Sequence, residues 1–259
     1  MLAAQRDAEI ARLLRSHDFV SFKQFCQRLE TSPATIRRDL GRLEAQGIIE
    51  RVRGGARLKV DARTAAGDQL LGATFEQNRG RNAESKAQIG RAAANLCSPN
   101  EAIIIDGGTT TFQMCEHLAV LNLQVLTNSL HIVNELLQQA GSRVSVPGGA
   151  IFREQNIILS PFEDDGSSRY HASKLFMGAA AIGAKGIMQA DAVLIQAERK
   201  LLGKADQSIV LVDSSKFLSS ASFVVCGLDD IDVVITDAGA RESDIAMLKS
   251  HNIEVVIAR

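Results

Sequence analysis

Several sequence patterns that mark common classes of protein are missing from this chain. Its 259 residues include four cysteines, with no C-x-x-C or Cys/His ligand spacing, so we expect reduced thiols and a cytoplasmic protein. No apolar run approaches the roughly 18 residues that span a membrane, and the N-terminus lacks the apolar core of a signal peptide. We therefore expect no membrane partner.

The patterns of several enzyme classes are absent as well. The histidines have no H-x-x-x-H or H-E-x-x-H spacing, which predicts no metal site. The second half of the chain lacks the dinucleotide fingerprint G-x-G-x-x-G, the Walker pattern and the G-x-S-x-G elbow of hydrolases. We accordingly predict no cofactor, no catalytic residue and a protein that is not an enzyme.

Positive charge is concentrated at the start of the chain. The formal net charge is only -1, but residues 1–59 have 12 Lys/Arg against 7 Asp/Glu, and residues 60–259 have 17 against 23. A basic head on an acidic body is typical of a protein whose head binds DNA while its body avoids the phosphates. Ordinary fluctuation of composition is the alternative.

The rest of the chain is organised around the stretch SPATIRRDLGRLEAQG, which begins at Ser32 and ends at Gly47. A serine followed by proline favours the start of a helix, and a glycine favours the position just past its end. The apolar residues Ile36, Leu40 and Leu43 recur at i, i+4 and i+7 and predict one buried stripe.

The outer face of this helix consists of threonine and arginine. Thr35, Arg38 and Arg42 share a face, and Arg37 lies between them. Arginine can contact guanine edges in the major groove, and threonine can hold phosphates. The alternative is a basic face that contacts only solvent.

The two neighbouring segments favour DNA binding. Upstream, Ser21 and Gln24 form an S-x-x-Q capping box that begins another helix. About three residues separate the end of that helix from the helix that begins at Ser32. Downstream, IIERVRGGARLKV alternates apolar and charged residues on both sides of a Gly-Gly pair, as a hairpin does. With a further helix over residues 5–16, the pattern predicts a winged helix-turn-helix head, mainly α in an α+β arrangement.

We predict that nine residues of this head contact DNA. They come from the second helix of the motif and from the hairpin wing: Ser32, Ala34, Thr35, Arg37, Arg38, Arg42, Arg51, Arg53 and Arg57.

The domain boundaries follow from changes in the pattern. The head ends at residue 58, and the polar, small residues 59–80 are predicted to be a linker whose Leu70, Leu71 and Phe75 dock on the second domain. From residue 81 to residue 259, short apolar runs alternate with helices. This alternation predicts an α/β domain with a mostly parallel sheet.

Four polar clusters directly follow predicted strands of this domain. They are DGGTTT, TNS, PGG and DSSKF. Ligands of open α/β sheets bind outside the carboxyl ends of the strands. Glycines allow close backbone approach, hydroxyls and free N–H groups favour an anion, and Lys216 could balance the charge. A plain turn and a solvated lysine are the alternatives for each cluster alone.

The motifs of both domains resemble the DeoR family of bacterial transcriptional regulators. The head contributes SPATIRRDL and RVRGGA, and the body contributes DGGTTT, TNS, PGG, LFMGA, DSSKF and ITD in the family's order. The resemblance covers almost the whole chain. It implies a repressor of carbohydrate genes whose body has a ribose-5-phosphate-isomerase-like fold and binds a phosphorylated sugar or sugar acid.

The resemblance also implies which residues bind the effector. Glu198 and Lys200 are weaker candidates. The main set comprises Asp106, Gly107, Gly108, Thr109, Thr110, Thr111, Thr127, Asn128, Ser129, Gly148, Gly149 and Lys216.

An isomerase fused to a DNA-binding head is the alternative function. The isomerase's acidic D-G-A-D-E stretch would align with Gly178 to Ala181, which have no carboxylate, and enolisation needs a general base. The favoured function is therefore a DNA-binding regulator. Its partners are double-stranded operator DNA, the effector and a second copy of the chain, as a dimer or tetramer.

Overall fold

The structure is a computed structural model in which the described part of the chain forms two compact units, Met1–Gln69 and Leu70–Arg259. The prediction of a linker therefore falls mainly on residues 59–74, outside the described residues, as do Leu70 and Leu71. The described residues are 6–7, 9–10, 13–14, 20–29, 31–45, 47–52, 54–58, 75–162 and 164–259.

The helix-turn-helix begins at the predicted capping box. Helix α1 spans Phe22–Arg28, and the Ser21 side chain accepts from the Gln24 backbone while the Gln24 side chain accepts from the Ser21 backbone. Helix α2 spans Pro33–Ala45. The Thr35 N–H donates to Ser32 Oγ at 3.3 Å, which makes Ser32 its cap. Both predicted helix starts are confirmed.

The wing is a three-stranded antiparallel sheet rather than a lone hairpin. Strand β1 (Val20–Ser21) pairs with β3 (Gly55–Leu58), which pairs with β2 (Ile49–Val52). Gly54 in the tight turn has φ +93°, a conformation that favours glycine. The added strand ties the start of α1 to the wing, because Ser21 is both its last residue and the cap of the helix.

One apolar cluster joins the elements of the head. The predicted stripe of α2 is fully buried, and the described residues of the predicted first helix are helical and contribute to the same core. The buried side chains are Ile10, Leu13, Leu14, Val20, Phe25, Leu29, Ile36, Leu40, Leu43, Ile49 and Ala56.

A buried carboxylate fixes α2 against the first helix. Asp39 is 1% exposed, and its oxygens accept from Arg6 Nε at 2.8 Å and from Arg42 Nη2 at 2.8 Å. Arg42 also donates to Asp7 at 2.6 Å. Burial alone would raise the pKa of Asp39, but the hydrogen bonds from the two guanidinium groups outweigh it and hold that pKa below its ordinary value.

The second unit contains a seven-stranded parallel sheet with the order β15-β14-β12-β9-β4-β5-β6. Every pair in it is parallel, which confirms the predicted α/β class. The strands are β4 (Ala102–Ile105), β5 (Gln124–Leu126), β6 (Arg143–Ser145), β9 (Ala172–Met177), β12 (Ala205–Leu211), β14 (Val233–Asp237) and β15 (Glu254–Ala258).

Buried clusters cover both faces of this sheet, as parallel sheets require. On one face lie α4 (Ala83–Ala94), α5 (Leu130–Leu136) and a 3-10 helix (Thr111–His117). On the other lie α6 (Ala192–Leu202) and α7 (Glu242–Ser250). The 3-10 helix begins in the DGGTTT cluster.

Smaller elements complete this unit. Strands β7 (Ala150–Phe152) and β8 (Ile157–Leu159) form a hairpin. Strands β10 (Ala181–Gly183), β11 (Gly186–Gln189) and β13 (Phe223–Cys226) form a separate antiparallel sheet. Helix α3 (Phe75–Arg79) lies within the stretch that the sequence predicts as linker. Its Phe75 side chain is buried in the second unit, as predicted. No helix among the described residues is long and apolar enough to cross a membrane.

Replacing Asp39 tests the buried ion pair. We expect Asp39→Asn to destabilise the head by about 1–3 kcal/mol at neutral pH, because it removes the charge that Arg6 and Arg42 bind. Since the folded pKa is lowered, the wild-type advantage is present above the ordinary pKa of 3.8 and is lost as the pH falls below it. Amide hydrogen exchange in α2 measures the change.

The matched control is Glu44→Gln. Glu44 and Arg51 are 3.8 Å apart and about half exposed, so their pair should contribute little. Equal exchange rates in Asp39→Asn and Glu44→Gln would contradict a stabilising role for the buried carboxylate.

Candidate functional site

Helix α2 presents an exposed basic face. Ser32, Ala34, Arg37 and Arg38 are exposed, whereas the apolar stripe of the helix is buried. The Arg37 guanidinium lies 5.3 Å from the centre of the Phe22 ring, a cation–π contact that orients it. This face can meet phosphates and base edges without moving the core of the head.

The remaining predicted DNA contacts differ in their surroundings. Arg42 is bound by Asp7 and Asp39, which gives it a structural role that the sequence analysis missed. Arg51 is exposed on β2. Arg53 lies outside the described residues, and so does the side chain of Arg57. DNA contact by all these residues stays a prediction.

The second unit has a cavity of about 250 Å³ at the carboxyl ends of its parallel strands. Its walls come from the loop after β4, the turn after β9, the start of α6, the 3-10 helix after β12 and the segment after α3. The lining residues are Asn78, Arg81, Asp106, Gly107, Gly108, Thr109, Thr110, Gln155, Gly178, Ala179, Ala180, Gln189, Ala190, Asp191, Leu194, Glu198 and Lys216.

The Asn128 carboxamide shapes the glycine loop of this cavity. Its Nδ2 donates to Asp106 Oδ1 at 3.0 Å, and its Oδ1 accepts from the Gly107 N–H at 3.0 Å. A Cβ at Gly107 would lie 2.8 Å from Ile157 Cδ1, so the loop needs glycine to approach the β7–β8 hairpin. The TNS cluster therefore positions the loop from behind.

Three buried carboxyl groups line the cavity. Asp106 directly follows β4, Asp191 caps α6 and Glu198 lies within α6. Asp191 Oδ1 accepts from the Val193 N–H, but its buried Oδ2 has no hydrogen-bond partner among the described atoms. An acceptor of this kind suits the hydroxyl groups of a ligand.

Burial favours the protonated forms of two of these groups. It raises the pKa of Asp106 and raises that of Glu198 to about 8. The Asp106 charge raises the pKa of Glu198 further, and a 2.6 Å hydrogen bond from Gln189 Nε2 opposes the shift. Glu198 therefore carries a proton near neutral pH.

Positive charge comes from two other elements. Arg81 follows α3, and Lys216 lies in the 3-10 helix Ser214–Phe217. Behind them, Lys86 is buried and its Nζ donates to the Asn78 carbonyl at 2.5 Å. Burial lowers the pKa of Lys86 to about 8, and the nearby charges of Lys216 and Arg81 add to that effect against Asp213. An anion near Arg81 and Lys216 would relieve this repulsion.

The structure brings half of the predicted effector residues to the cavity. Asp106, Gly107, Gly108, Thr109, Thr110 and Lys216 line it, as does the weaker candidate Glu198. The rest do not: Thr111, Thr127, Asn128, Ser129, Gly148, Gly149 and the weaker candidate Lys200.

The residues outside the cavity have other contacts. The Thr111 hydroxyl donates to the Asp106 and Gly108 carbonyls, and Ser129 caps α5. Gly148 donates to the Asp165 carbonyl. Asn128 and Lys200 line a second, more apolar cavity beside α6. Effector contact by every residue of the set stays a prediction.

Sequence reasoning missed several lining residues. Asp191 had a signal, an aspartate directly before the helical run of α6, but that pattern alone indicates only a cap. Arg81, Gln155 and Gln189 had none. Gly178 to Ala180 bring no carboxylate to the cavity, as the sequence indicates, and the three carboxyl groups of the lining, Asp106, Asp191 and Glu198, come from other segments. No cluster suited to a metal ion occurs in the described ranges.

Comparison with known proteins matches both units. Residues 6–61 match the DeoR-like helix-turn-helix domain, and residues 81–238 match the DeoR C-terminal sensor domain. The chain is 30% identical over 256 residues to the HTH-type transcriptional regulators UlaR of Shigella dysenteriae serotype 1 and Escherichia coli K12. The alignment covers 99% of each chain.

Solved structures resemble the chain more distantly. Ribose 5-phosphate isomerase A from Methanocaldococcus jannaschii is 17% identical with a TM-score of 0.39, covering 52% of this chain and 54% of the other. The full-length sorbitol operon regulator SorC from Klebsiella pneumoniae is 13% identical with a TM-score of 0.39, covering 96% and 99%.

The raised pKa of Glu198 predicts a pH-dependent stability. The folded chain retains a proton that the unfolded chain loses near the ordinary pKa of 4.5. Stability should therefore fall as the pH rises from that value through about 8. We expect Glu198→Gln to gain about 2 kcal/mol on wild type between about pH 6 and pH 8. Urea unfolding of the full chain across this range measures it.

The control is the exposed Glu242. Glu242→Gln should keep the wild-type pH dependence. If the free energy of unfolding had the same pH dependence in the wild type and in Glu198→Gln, the pKa of Glu198 would not be raised in the folded chain.

Proposed function

This chain belongs to the DeoR family of helix-turn-helix transcriptional regulators, and on that basis we propose that it is a cytoplasmic repressor of a carbohydrate-utilisation operon. A phosphorylated sugar or sugar acid releases it from double-stranded operator DNA. The proposal includes the division into a head of residues 1–58, a linker of residues 59–80 and a sensor domain of residues 81–259.

The sensor cavity is the observation that supports this effector class. Arg81, Lys216 and the N–H groups of the glycine loop can bind a phosphate or carboxylate. The buried carboxyl groups, including the unpartnered Asp191 oxygen, can bind hydroxyls. Such a cavity suits a ligand that is anionic at one end and rich in hydroxyls at the other.

Release from DNA then follows from a shift of population. The effector binds one arrangement of the sensor domains more tightly, and that arrangement spaces the paired heads wrongly for the operator. One small head makes few base contacts, so specific binding requires at least a dimer that contacts repeated half-sites. We assign the self-association to the sensor domain.

A sugar-phosphate isomerase is a second candidate function. The carboxyl groups in the cavity favour it, because Glu198, with a pKa of about 8, could exchange a proton near neutral pH. The relatives that the chain resembles over its full length are named as regulators, not as enzymes. We therefore keep the repressor as the proposal.

The DNA-binding face can be tested by comparing two arginines. Arg38→Ala should cost about 1–3 kcal/mol of operator binding and relax the preference at one base pair, because we assign the exposed Arg38 to a base edge. Arg51→Ala should weaken binding to all sequences alike and lower the salt slope by about one. Fluorescence anisotropy with DNA selected in vitro by the full chain measures both.

Arg143→Ala serves as the control, since Arg143 is exposed on the sensor domain and should leave DNA affinity unchanged. If Arg38→Ala and Arg51→Ala also bound as wild type does, the assigned face would be wrong.

The effector can be identified by thermal shift. We expect one phosphorylated sugar or sugar acid, from a panel that includes L-ascorbate 6-phosphate, to raise the Tm by several degrees, because it binds only the folded state. Lys216→Ala should lose the rise, whereas Lys249→Ala, which alters an exposed lysine of α7, should keep it.

Other results would count against the proposal. Equal rises with neutral sugars, which have neither phosphate nor carboxylate, would exclude an anion site. Conversion of the bound sugar phosphate, followed by nuclear magnetic resonance, would identify the isomerase instead.

A further inference from the structure

We propose that the junction segment, residues 75–82, both binds the effector and transmits its binding to the head. Arg81, with Asn78, would contact the anionic group of the ligand. This inference rests on the proposed function only in that the ligand is an anion. It adds two ligand-binding residues and a route for the signal.

The junction segment connects the linker to the cavity. It is the first described part of the chain after residues 59–74, which lead from the head. It also forms part of the cavity wall, through Asn78 and Arg81. A ligand in this cavity therefore touches the stretch of backbone that continues into the linker.

The junction segment supplies one of the two positive charges of the cavity wall. Among the described residues that line it, Arg81 and Lys216 are the two cationic side chains, against three carboxyl groups. They come from elements far apart in sequence, the junction segment and the 3-10 helix after β12. A single anion bound by both would bridge the junction segment to the body of the sensor domain.

Aromatic contacts attach the start of the segment. The buried Phe75 ring stacks on the His131 ring, with centroids 3.8 Å apart and planes at 12°, and meets Phe112 edge-on at 5.7 Å. The Arg79 guanidinium lies 4.9 Å from the centre of the Phe112 ring. Phe112 donates its N–H to the carbonyl of Gly108 in the ligand loop. The start of the segment thus rests against the loop that would hold the ligand.

Hydrogen bonds attach its middle and its end. Lys86 Nζ donates to the Asn78 carbonyl. Asn82 Nδ2 donates to Asp213 Oδ1 at 2.8 Å and to Ser215 Oγ at 3.2 Å, directly before Lys216. The end of the segment is therefore attached to the 3-10 helix that contains Lys216.

These contacts give a physical reason for coupling. A ligand that contacts Arg81, Lys216 and the glycine loop at the same time stabilises the position of the junction segment in which Arg81 reaches it. The population with the segment in that position rises, and the chain that comes from the head then ends at a more restricted point. Coupling of this kind typically changes affinity at the second site by about 5- to 150-fold.

Binding by Arg81 can be tested with hydrogen–deuterium exchange of the full chain, using millimolar inorganic phosphate and the sugar phosphate that gives the largest thermal shift as probes. Both should slow exchange across residues 75–82 and in the loop at residues 107–110. Arg81→Gln should weaken binding of the sugar phosphate about tenfold or more. The control Arg91→Gln changes an exposed arginine of α4 outside the cavity and should bind as wild type does.

The outcomes separate this inference from the proposed function. Protection of the loop without protection of residues 75–82, or wild-type affinity in Arg81→Gln, would overturn the inference and leave the phosphate site standing. Absence of protection anywhere, with every phosphorylated compound, would overturn both.

Transmission is tested by loosening the aromatic contacts without touching the cavity. Phe75→Leu and the milder Arg79→Gln should bind the sugar phosphate within about twofold of wild type, yet lose most of the ligand effect on DNA affinity. Two variants are used because Phe75 is buried, whereas Arg79 is exposed and its loss leaves the core intact. Full release from DNA by the ligand in both variants would show that the signal takes another route.

Discussion

The hydrogen bonds of the Asn128 carboxamide hold together the two strand ends on which the sensor cavity is built. The Nδ2 atom donates a hydrogen bond to the buried Asp106 carboxyl, and the Oδ1 atom accepts one from the N–H of Gly107. An amide can do both at once because it has a donor and an acceptor on one plane. With both strand ends fixed, the glycine loop has a defined shape and the residues around it can be placed against a ligand.

Charged groups of both signs surround this loop. Asp106, Asp191 and Glu198 line the cavity together with Arg81 and Lys216. Burial raises the pKa of Asp106 and Glu198, which limits the repulsion between them. Protonated carboxyls can donate to hydroxyl oxygens, while the cations attract an anion. The cavity therefore offers both protonated carboxyl groups and cationic groups to a ligand.

The sequence predicts the fold well because its signals are local. The caps at Ser21 and Ser32, the buried stripe of α2 and the alternation of strands and helices each depend on residues a few positions apart. The cavity is harder to predict because its wall joins distant elements. Neither Arg81 nor Glu198 follows a predicted strand, and the ion pairs of Arg42 with Asp7 and Asp39 come from a tertiary contact that periodicity cannot show.

The junction segment shows why a linker boundary drawn from composition can hide a functional element. Residues 75–80 are mostly polar, which predicts a linker, yet Phe75, Asn78 and Arg79 all contact the second unit. A segment with few contacts can change position at a small cost in free energy, whereas the buried sheet would resist movement. Such a segment is therefore suited to transmitting ligand binding. Under our proposal, ligand binding next to such a segment changes the population of its positions, and the residues that precede it would transmit that change toward the head.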